Sequence, residues 1–264
     1  MLSGMPLEDV AEESARILEV AEKEGIALRL FGGLAIRLRC PSASTPSLKR
    51  KYPDIDLFGL SKQSDRIQDL LLKLGYTPRD LFNRLHGNRR LIFNDMKNMR
   101  RVDVFLDIFD MCHILDFRDR LRIDQFTLST ADLLLTKLQI VEINERDYKD
   151  MICLLKDHEV GDSDQERMIN GRYIAHLCSK DWGIHKTITK NLCGLLSLLP
   201  NYHLEQSDEE TVRKKIEKLL NNIETEPKST KWKIRAMVGE KVTWYELPDK
   251  DKPVVATTVL ERSS

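Results

Sequence analysis

Two aspartates that alternate with apolar residues, in residues 52–58 (YPDIDLF), constrain the fold more than any other feature of the sequence. Alternation with a period of two is typical of a β-strand, on which successive side chains project to opposite faces. Asp54 and Asp56 therefore share one face, while Ile55 and Leu57 point into a core. Two like charges roughly 6–7 Å apart are tolerated most easily when water or a divalent cation lies between them. The pair predicts a Mg²⁺ site, although an isolated Asp-x-Asp is more often a strand end or a turn cap.

A third carboxylate is expected on a later strand. In residues 102–109 (VDVFLDIF) the aliphatic residues occupy one face, which leaves Asp103 and Asp107 together on the other. They are four residues, or roughly 13 Å, apart on an extended strand, so one metal cluster cannot hold both. Three acids on two neighbouring strands can hold two metal ions about 3.5–4 Å apart, as phosphoryl-transfer sites require.

A glycine pair precedes these acids. Residues 27–31 are apolar enough for a buried strand, Gly32 and Gly33 break it, and residues 34–38 begin a helical pattern. Glycine lets the backbone approach a ligand closely, and the free N–H groups at a helix start attract anions such as a triphosphate. The alternative is a tight strand-to-helix turn with no ligand.

The combination of Gly32-Gly33, then Asp54-x-Asp56, then Asp103 between two valines resembles the nucleotidyltransferase superfamily that includes DNA polymerase beta. The GG form is most similar to its AbiEii-type toxin and lincosamide nucleotidyltransferase branches, and the resemblance covers residues 25–158. It implies that the two glycines bind the nucleotide phosphates and that the three acids bind the catalytic metals. The hydrophobic-Asp-hydrophobic pattern of the family favours Asp103 as the third ligand. Asp107 is then a rim residue, a salt-bridge partner or a group on the acceptor side.

The chain departs from that family between Gly33 and Asp54, where 20 residues intervene (54 − 33 − 1), more than the family usually has. The excess lies in residues 40–47, whose prolines and serines indicate a loop, and loops accept insertions at low cost. The loop leads into Lys49, Arg50 and Lys51. This basic triplet can meet a triphosphate or a polyanionic acceptor, with Lys51 as our nucleotide-binding candidate, or it is a solvated run of charges.

Two helices joined by a short turn are predicted further along. Thr130 or Ser129 can cap the first helix and Asn144 the second. A lysine followed by an Arg-Asp-x-x-Asp helix, in residues 146–150, is similar to motifs of the AbiEii-type branch. The resemblance implies that Lys137 contacts the nucleotide and that Asp147 or Asp150 orients the nucleotide or the acceptor. The alternative is a set of surface ion pairs of little energetic weight.

These elements predict an α/β (α+β) chain with a small mixed sheet flanked by helices. Residues 89–93 and 101–109 are expected to form a hairpin that brings Asp103 beside the Asp54 and Asp56 strand. We place a catalytic domain at residues 1–160, a helical C-terminal module at 161–226 and a tail at 227–264. In the tail, residues 231–238 and 241–245 flank Gly239-Glu240 and predict a short β-hairpin.

Composition limits the partners and the compartment. The 264 residues include 42 Lys and Arg against 42 Asp and Glu, so the net charge does not predict general nucleic-acid binding. No apolar run is long enough to cross a bilayer, and the N-terminus lacks the apolar core of a signal peptide. Five cysteines far apart in the sequence fit neither a zinc ribbon nor a disulfide framework. We expect a cytoplasmic protein without a membrane partner.

The sequence therefore predicts an enzyme that uses Mg²⁺ or Mn²⁺ to transfer a nucleoside monophosphate from an NTP to an acceptor hydroxyl, with release of pyrophosphate. The acceptor stays open between a small molecule, a protein side chain and a tRNA end, and so does the choice of NTP. The alternative is a non-catalytic nucleotide-binding or regulatory protein on the same fold. A third possibility is a phosphatase of the haloacid dehalogenase type, which uses an N-terminal Asp-x-Asp followed by glycine and by threonine or valine. Here Leu57 and Phe58 follow the acids and the pair lies deep in the chain, which argues against it.

Overall fold

The structure, a computed structural model, describes residues 4–166 and 168–247. Its β-strands are β1 (Arg29–Phe31), β2 (Ile55–Gly59), β3 (Thr77–Pro78), β4 (Arg90–Asp95), β5 (Arg100–Leu106), β6 (Ile108–Asp110), β7 (Ile114–Asp116), β8 (Glu159–Gly161) and β9 (Met168–Asn170). Within the described residues, β1-β2-β5-β4-β3 form a central five-stranded sheet, while β6 pairs with β7 and β8 with β9.

The α-helices are α1 (Val10–Lys23), α2 (Gly32–Arg39), α3 (Ser64–Lys73), α4 (Asp80–His86), α5 (Thr130–Leu138), α6 (Glu145–Asp157), α7 (Gly171–Lys180), α8 (Trp182–Leu198), α9 (Gln206–Thr225) and α10 (Thr230–Val238). Apolar residues of α1, α2, α3 and α5 to α9 are buried in a common core with the sheet. The N-terminal ends of α5 and α6 are capped by Ser129 and Asn144, as the sequence predicted. The predicted mixed α+β architecture, with helices flanking a mixed sheet, is confirmed.

Long-range pairing places the two acidic strands side by side at the centre of the sheet. β2 runs antiparallel to β1 and parallel to β5, and β4 runs antiparallel to β5. The predicted hairpin is thus present as β4 and β5, joined by a turn over residues 96–99. The alternating residues Val102, Val104 and Leu106 are fully buried. Burial of this aliphatic face fixes the register, because a slip of one residue would turn all three side chains toward the opposite face.

The predicted domain boundary near residue 160 stays a prediction. One buried cluster of apolar side chains runs from α1 to α9 without a break at that position. β8 pairs in parallel with β9, so backbone hydrogen bonds cross the proposed boundary. β9 also adds a strand to a module that was expected to be helical throughout. No helix among the described residues has the length and apolarity needed to span a membrane.

The prediction of a β-hairpin in the tail is wrong within the described residues. Residues 230–238 form α10, whose N-terminal end is capped by the Ser229 side chain through the backbone N–H of Trp232. Gly239 follows with φ +58° and ends the helix, instead of turning a hairpin. Taken alone, the run KWKIRAMV fits both the helical and the strand spacing of apolar residues. Packing of α10 against α8 and α7 favours the helix. Residues 248–264 of the predicted tail lie outside the described part of the chain.

Candidate active site

The glycine turn contacts the acidic strand directly. β1 ends at Phe31, which pairs with Asp56 of β2, and α2 begins at Gly32. Gly32 has φ +68°, a conformation that side chains disfavour. A Cβ atom at Gly32 would lie 3.0 Å from Cγ of Asp56 and closer still to its Oδ2. The turn therefore needs glycine for its backbone conformation and also because the Asp56 carboxylate fills the space beside it.

The three predicted metal ligands lie at one region of the sheet. Asp56 stands opposite Asp103 in the parallel register of β2 and β5, so the two side chains project to the same face. Asp54 lies just before β2. Burial raises the pKa of Asp56 to about 7, and the Asp103 charge adds to the rise. The pKa of Asp54 is raised by the same two causes in the same order. The three carboxylates thus lie near enough to influence one another electrostatically, and their joint role as metal ligands stays a prediction.

Asp103 is nevertheless held by two arginines. Nη2 of Arg90 lies 2.9 Å from Oδ1 of Asp103, and Nε of Arg101 lies 2.7 Å from Oδ2. Across residues 4–166 and 168–247, no three side chains of the His, Cys, Asp and Glu types are placed to hold one metal ion. Asp54 and Asp56 together still offer carboxylate oxygens that suit Mg²⁺, which proteins often bind through one or two carboxylates plus substrate phosphates.

Asp107 is placed elsewhere. It has φ +64°, which ends β5 at Leu106 and breaks the alternation from which a shared face with Asp103 was predicted. Its carboxylate accepts hydrogen bonds from the backbone N–H of Ser61 at 3.0 Å and from the Ser61 hydroxyl at 2.5 Å. Its own N–H donates to the carbonyl of Gly59, at the far end of β2 from the acidic pair. Asp107 thus organises a turn.

A cation covers the start of α2. The guanidinium of Arg50 packs over Gly33, where a Cβ atom would lie 2.8 Å from Cζ of Arg50. Arg50 makes a bidentate ion pair with Asp150, at 2.8 and 2.7 Å, and stacks on the Tyr52 ring at 4.1 Å. Lys51 is exposed, and its carbonyl accepts a hydrogen bond from Arg50. Arg50 is therefore the member of the basic triplet that reaches the site.

Lys137, Asp147 and Asp150 form one ion-pair network. Nζ of Lys137 lies 3.0 Å from Asp147 and 2.9 Å from Asp150. Burial lowers the pKa of Lys137, but the two carboxylates outweigh it and the net shift is upward. Asp147 also completes a capping box with Asn144 at the start of α6. The network fixes Arg50 and Lys137 as cations, because Asp150 is bonded to both and is only 1% exposed.

Some of these groups line one open cleft of about 210 Å³, whereas Gly32, Lys51, Asp103 and Asp150 are not among its lining residues. Its walls are formed by Gly33, Leu34, Arg50, Tyr52, Pro53, Asp54, Asp56, Lys137, Asn144, Arg146 and Asp147. The volume is below the roughly 300–1,000 Å³ of typical ligand pockets, so the cleft suits the charged part of a ligand better than a whole nucleotide. Carboxylates and cations face each other across it, as a metal-bound polyphosphate would require.

No family model matches the chain, and no curated protein matches it. Among solved structures, the chain is similar to the lincosamide antibiotic adenylyltransferase LnuA with bound lincomycin. The match has 14% identity and a TM-score of 0.37, and it covers 56% of this chain and 95% of that chain.

The sequence did not single out Arg50, Tyr52 or Arg146 as cleft residues. A signal for Arg50 was present, since it belongs to the basic triplet just before the acidic pair. Arg146 also had a signal, as the arginine of the Arg-Asp-x-x-Asp motif, although only the acids of that motif were given roles. Tyr52 carried no such signal, because its place in the cleft depends on how the loop before β2 folds.

Proposed function

We propose that this protein is a Mg²⁺-dependent nucleotidyltransferase that moves a nucleoside monophosphate from an NTP to an acceptor hydroxyl. The acceptor oxygen bonds to the α-phosphorus, the bond from that phosphorus to the bridging oxygen of the β-phosphate breaks, and pyrophosphate leaves with the electron pair. The acceptor proton passes to water. The reaction needs little covalent chemistry from the protein, so positioning and electrostatic stabilisation carry it.

One observation carries this proposal: the carboxylate of Asp56 touches the glycine turn at the start of α2, with Asp54 and Asp103 beside it. A helix start attracts phosphate through its free N–H groups and the positive end of its dipole. A carboxylate pair at that spot would repel phosphate unless a divalent cation joined the two. The site therefore suits a polyphosphate with a bound metal ion better than it suits either the polyphosphate or the metal ion alone.

The residues of the cleft then divide into roles. Gly33 and the first turn of α2 face the phosphates, and Arg50 and Lys137 supply positive charge toward them. Asp147 orients the nucleotide or the acceptor, while Asp150 lies behind Arg50 and Lys137 and holds both cations in place. Lys51 is exposed and is not a lining residue of the cleft, so its contact with the nucleotide stays a prediction. Such fixed charges need no reorganisation at the moment of reaction.

Asp54 and Asp56 would hold the metal ion, with Asp103 as the third carboxylate of the site. When bound, Mg²⁺ neutralises charge on the phosphates and lowers the pKa of the attacking hydroxyl. The pKa of Asp56 is raised by burial and by the charges of two neighbouring carboxylates. A bound cation would offset these charges and favour the ionised form of Asp56.

The test is incubation of the protein with each α-labelled NTP, Mg²⁺ or Mn²⁺ and cell extract, followed by detection of the labelled product. We expect transfer of label together with pyrophosphate release by the wild type, and neither by Asp54→Asn or Asp56→Asn. Labelling of equal extent by the wild type and both variants would refute the proposal. So would a wild type that binds no Mg²⁺–NTP at millimolar concentration.

The ion pairs of Asp103 favour one other candidate, a protein that binds nucleotide without catalysis. With Asp103 held by Arg90 and Arg101, the cleft retains two carboxylates and its cations. Saturable binding of Mg²⁺–NTP, with no pyrophosphate release across small-molecule, protein and RNA acceptors, would support that function.

A further inference from the structure

The ion pairs around Asp103 involve a buried carboxylate and two half-buried guanidinium groups. The Asp103 side chain is 9% exposed, and those of Arg90 and Arg101 are 25% and 27% exposed. Oδ1 accepts hydrogen bonds from Nε of Arg90 at 2.9 Å and from Nη2 of Arg101 at 3.2 Å. Oδ2 lies 2.7 Å from Nε of Arg101 in an ion-pair contact. We call Arg90 and Arg101 the arginine clamp.

Each clamp residue also interacts with a second group. The guanidinium of Arg90 lies over the Phe105 ring at 4.7 Å, a cation–π contact between β4 and β5. Arg101 acts on a second carboxylate, because its charge also opposes the rise in the pKa of Asp54. The positive charge of Arg101 is therefore shared between Asp54 and Asp103, as a bridging cation would be.

The clamp offsets the repulsion between the carboxylates of the site. Three carboxylates brought together at one face of a sheet repel, and a buried carboxylate without a partner is strongly destabilising. The two guanidinium groups compensate the charge of Asp103. The same contacts compete with any metal ion for the oxygens of Asp103, because an oxygen that accepts a short charged hydrogen bond is a poorer ligand.

We propose that the arginine clamp stands in for a cation at Asp103 in the metal-free protein and releases Asp103 only when a metal–nucleotide complex occupies the cleft. Released, Arg90 and Arg101 become positive charges available to the phosphates. The clamp thereby couples use of the third carboxylate to the arrival of substrate, and disfavours binding of free metal. This inference rests on the proposed function.

The test measures binding of free Mn²⁺, without nucleotide, by electron paramagnetic resonance. We expect Arg101→Ala and Arg90→Ala to bind Mn²⁺ about tenfold more tightly than the wild type, since one neighbouring charge shifts ionic equilibria by that order. Arg89→Ala is the matched control, because Arg89 precedes Arg90 but is 63% exposed and pairs with Asp110. It should bind Mn²⁺ as the wild type does.

A double variant isolates the role of Asp103. In the Asp103→Asn background, Arg101→Ala should raise the affinity for Mn²⁺ by much less than it does in the wild-type background, because only its electrostatic effect on Asp54 remains. An undiminished gain in that background would overturn the clamp, and so would equal affinities of Arg90→Ala, Arg101→Ala and Arg89→Ala.

Thermal unfolding supplies a second readout. Without metal, the melting temperatures of Arg90→Ala and Arg101→Ala should lie below that of the wild type. Added Mn²⁺ should raise their melting temperatures by more than it raises that of the wild type, because a ligand that binds only the folded state stabilises that state. Failure of the clamp is distinguishable from failure of the proposed function. If the wild type binds Mg²⁺–NTP but the clamp variants bind Mn²⁺ with unchanged affinity, the clamp is refuted and the proposed function is not.

Discussion

Gly32→Ala tests whether the glycine turn and Asp56 form one unit. An alanine at φ +68° costs about 1–2 kcal/mol for its left-handed backbone. Its Cβ would also lie 3.0 Å from Cγ of Asp56 and 3.2 Å from the Asp56 Cβ, so the Asp56 side chain must move. Overpacking of this kind adds about 1–3 kcal/mol. We therefore expect a loss of about 2–5 kcal/mol in the free energy of unfolding.

Gly25→Ala is the matched control. Gly25 has φ +65° at the end of α1, and no atom lies within 4 Å of the position that its Cβ would take. It therefore carries the backbone strain alone, about 1–2 kcal/mol. Urea unfolding followed by circular dichroism gives the free energy of both variants, and calorimetric titration gives their affinity for a non-hydrolysable NTP with Mg²⁺.

The two variants should differ in function more than in stability. Gly25→Ala should bind nucleotide as the wild type does, and Gly32→Ala should lose binding because the Asp56 carboxylate is displaced. The reasoning is refuted if the two variants lose the same free energy of unfolding and both bind nucleotide normally.

Three further predictions use other parts of the structure. Asp150→Ala should lower the free energy of unfolding by about 3–5 kcal/mol in urea titrations, since it removes a buried partner of two cations; a loss below 1 kcal/mol would contradict this. Asp107→Ala should cost about 0.5–2 kcal/mol through its lost turn contacts but keep activity, unlike Asp103→Asn; an inactive, folded Asp107→Ala would reverse that assignment. Burial lowers the pKa of His113, and the charge of Asp181 opposes this shift to a smaller extent. The free energy of unfolding should therefore be highest above about pH 6.5, where His113 is neutral in both states, and should fall as pH decreases through the lowered pKa. A His113→Gln variant should lose less stability than the wild type between pH 7 and 5, and an unchanged slope would count against this prediction.

Local patterns were enough to predict the parts of the site that lie on single elements. The alternation around Asp54 and Asp56 gave β2, and the glycine pair gave the junction of β1 and α2. The hairpin of β4 and β5 followed from two apolar runs about a polar turn. In each case the period of apolar residues and the turn chemistry agree with the tertiary environment.

Features that depend on long-range packing were not predictable. The parallel register joins Asp56 to Asp103, which lies 47 residues later (103 − 56). The clamp on Asp103 and the packing of Arg50 over Gly33 depend on side-chain conformations that no local pattern specifies. The positive φ of Asp107 has no local sequence signature, so alternation misled the assignment of its face. The helix α10 was not predicted, because its residues fit both the helical and the strand spacing of apolar residues and only packing decides between the two.

The central claim is that Asp54 and Asp56 hold a metal-bound NTP beside the glycine turn, and its most direct test is one calorimetric titration. An α,β-methylene NTP is titrated into the wild type and into Asp56→Asn, each with and without Mg²⁺. The account predicts binding by the wild type that requires Mg²⁺ and is weakened at least tenfold in the variant. Equal affinities of the two proteins, or wild-type binding that is indifferent to Mg²⁺, would contradict it.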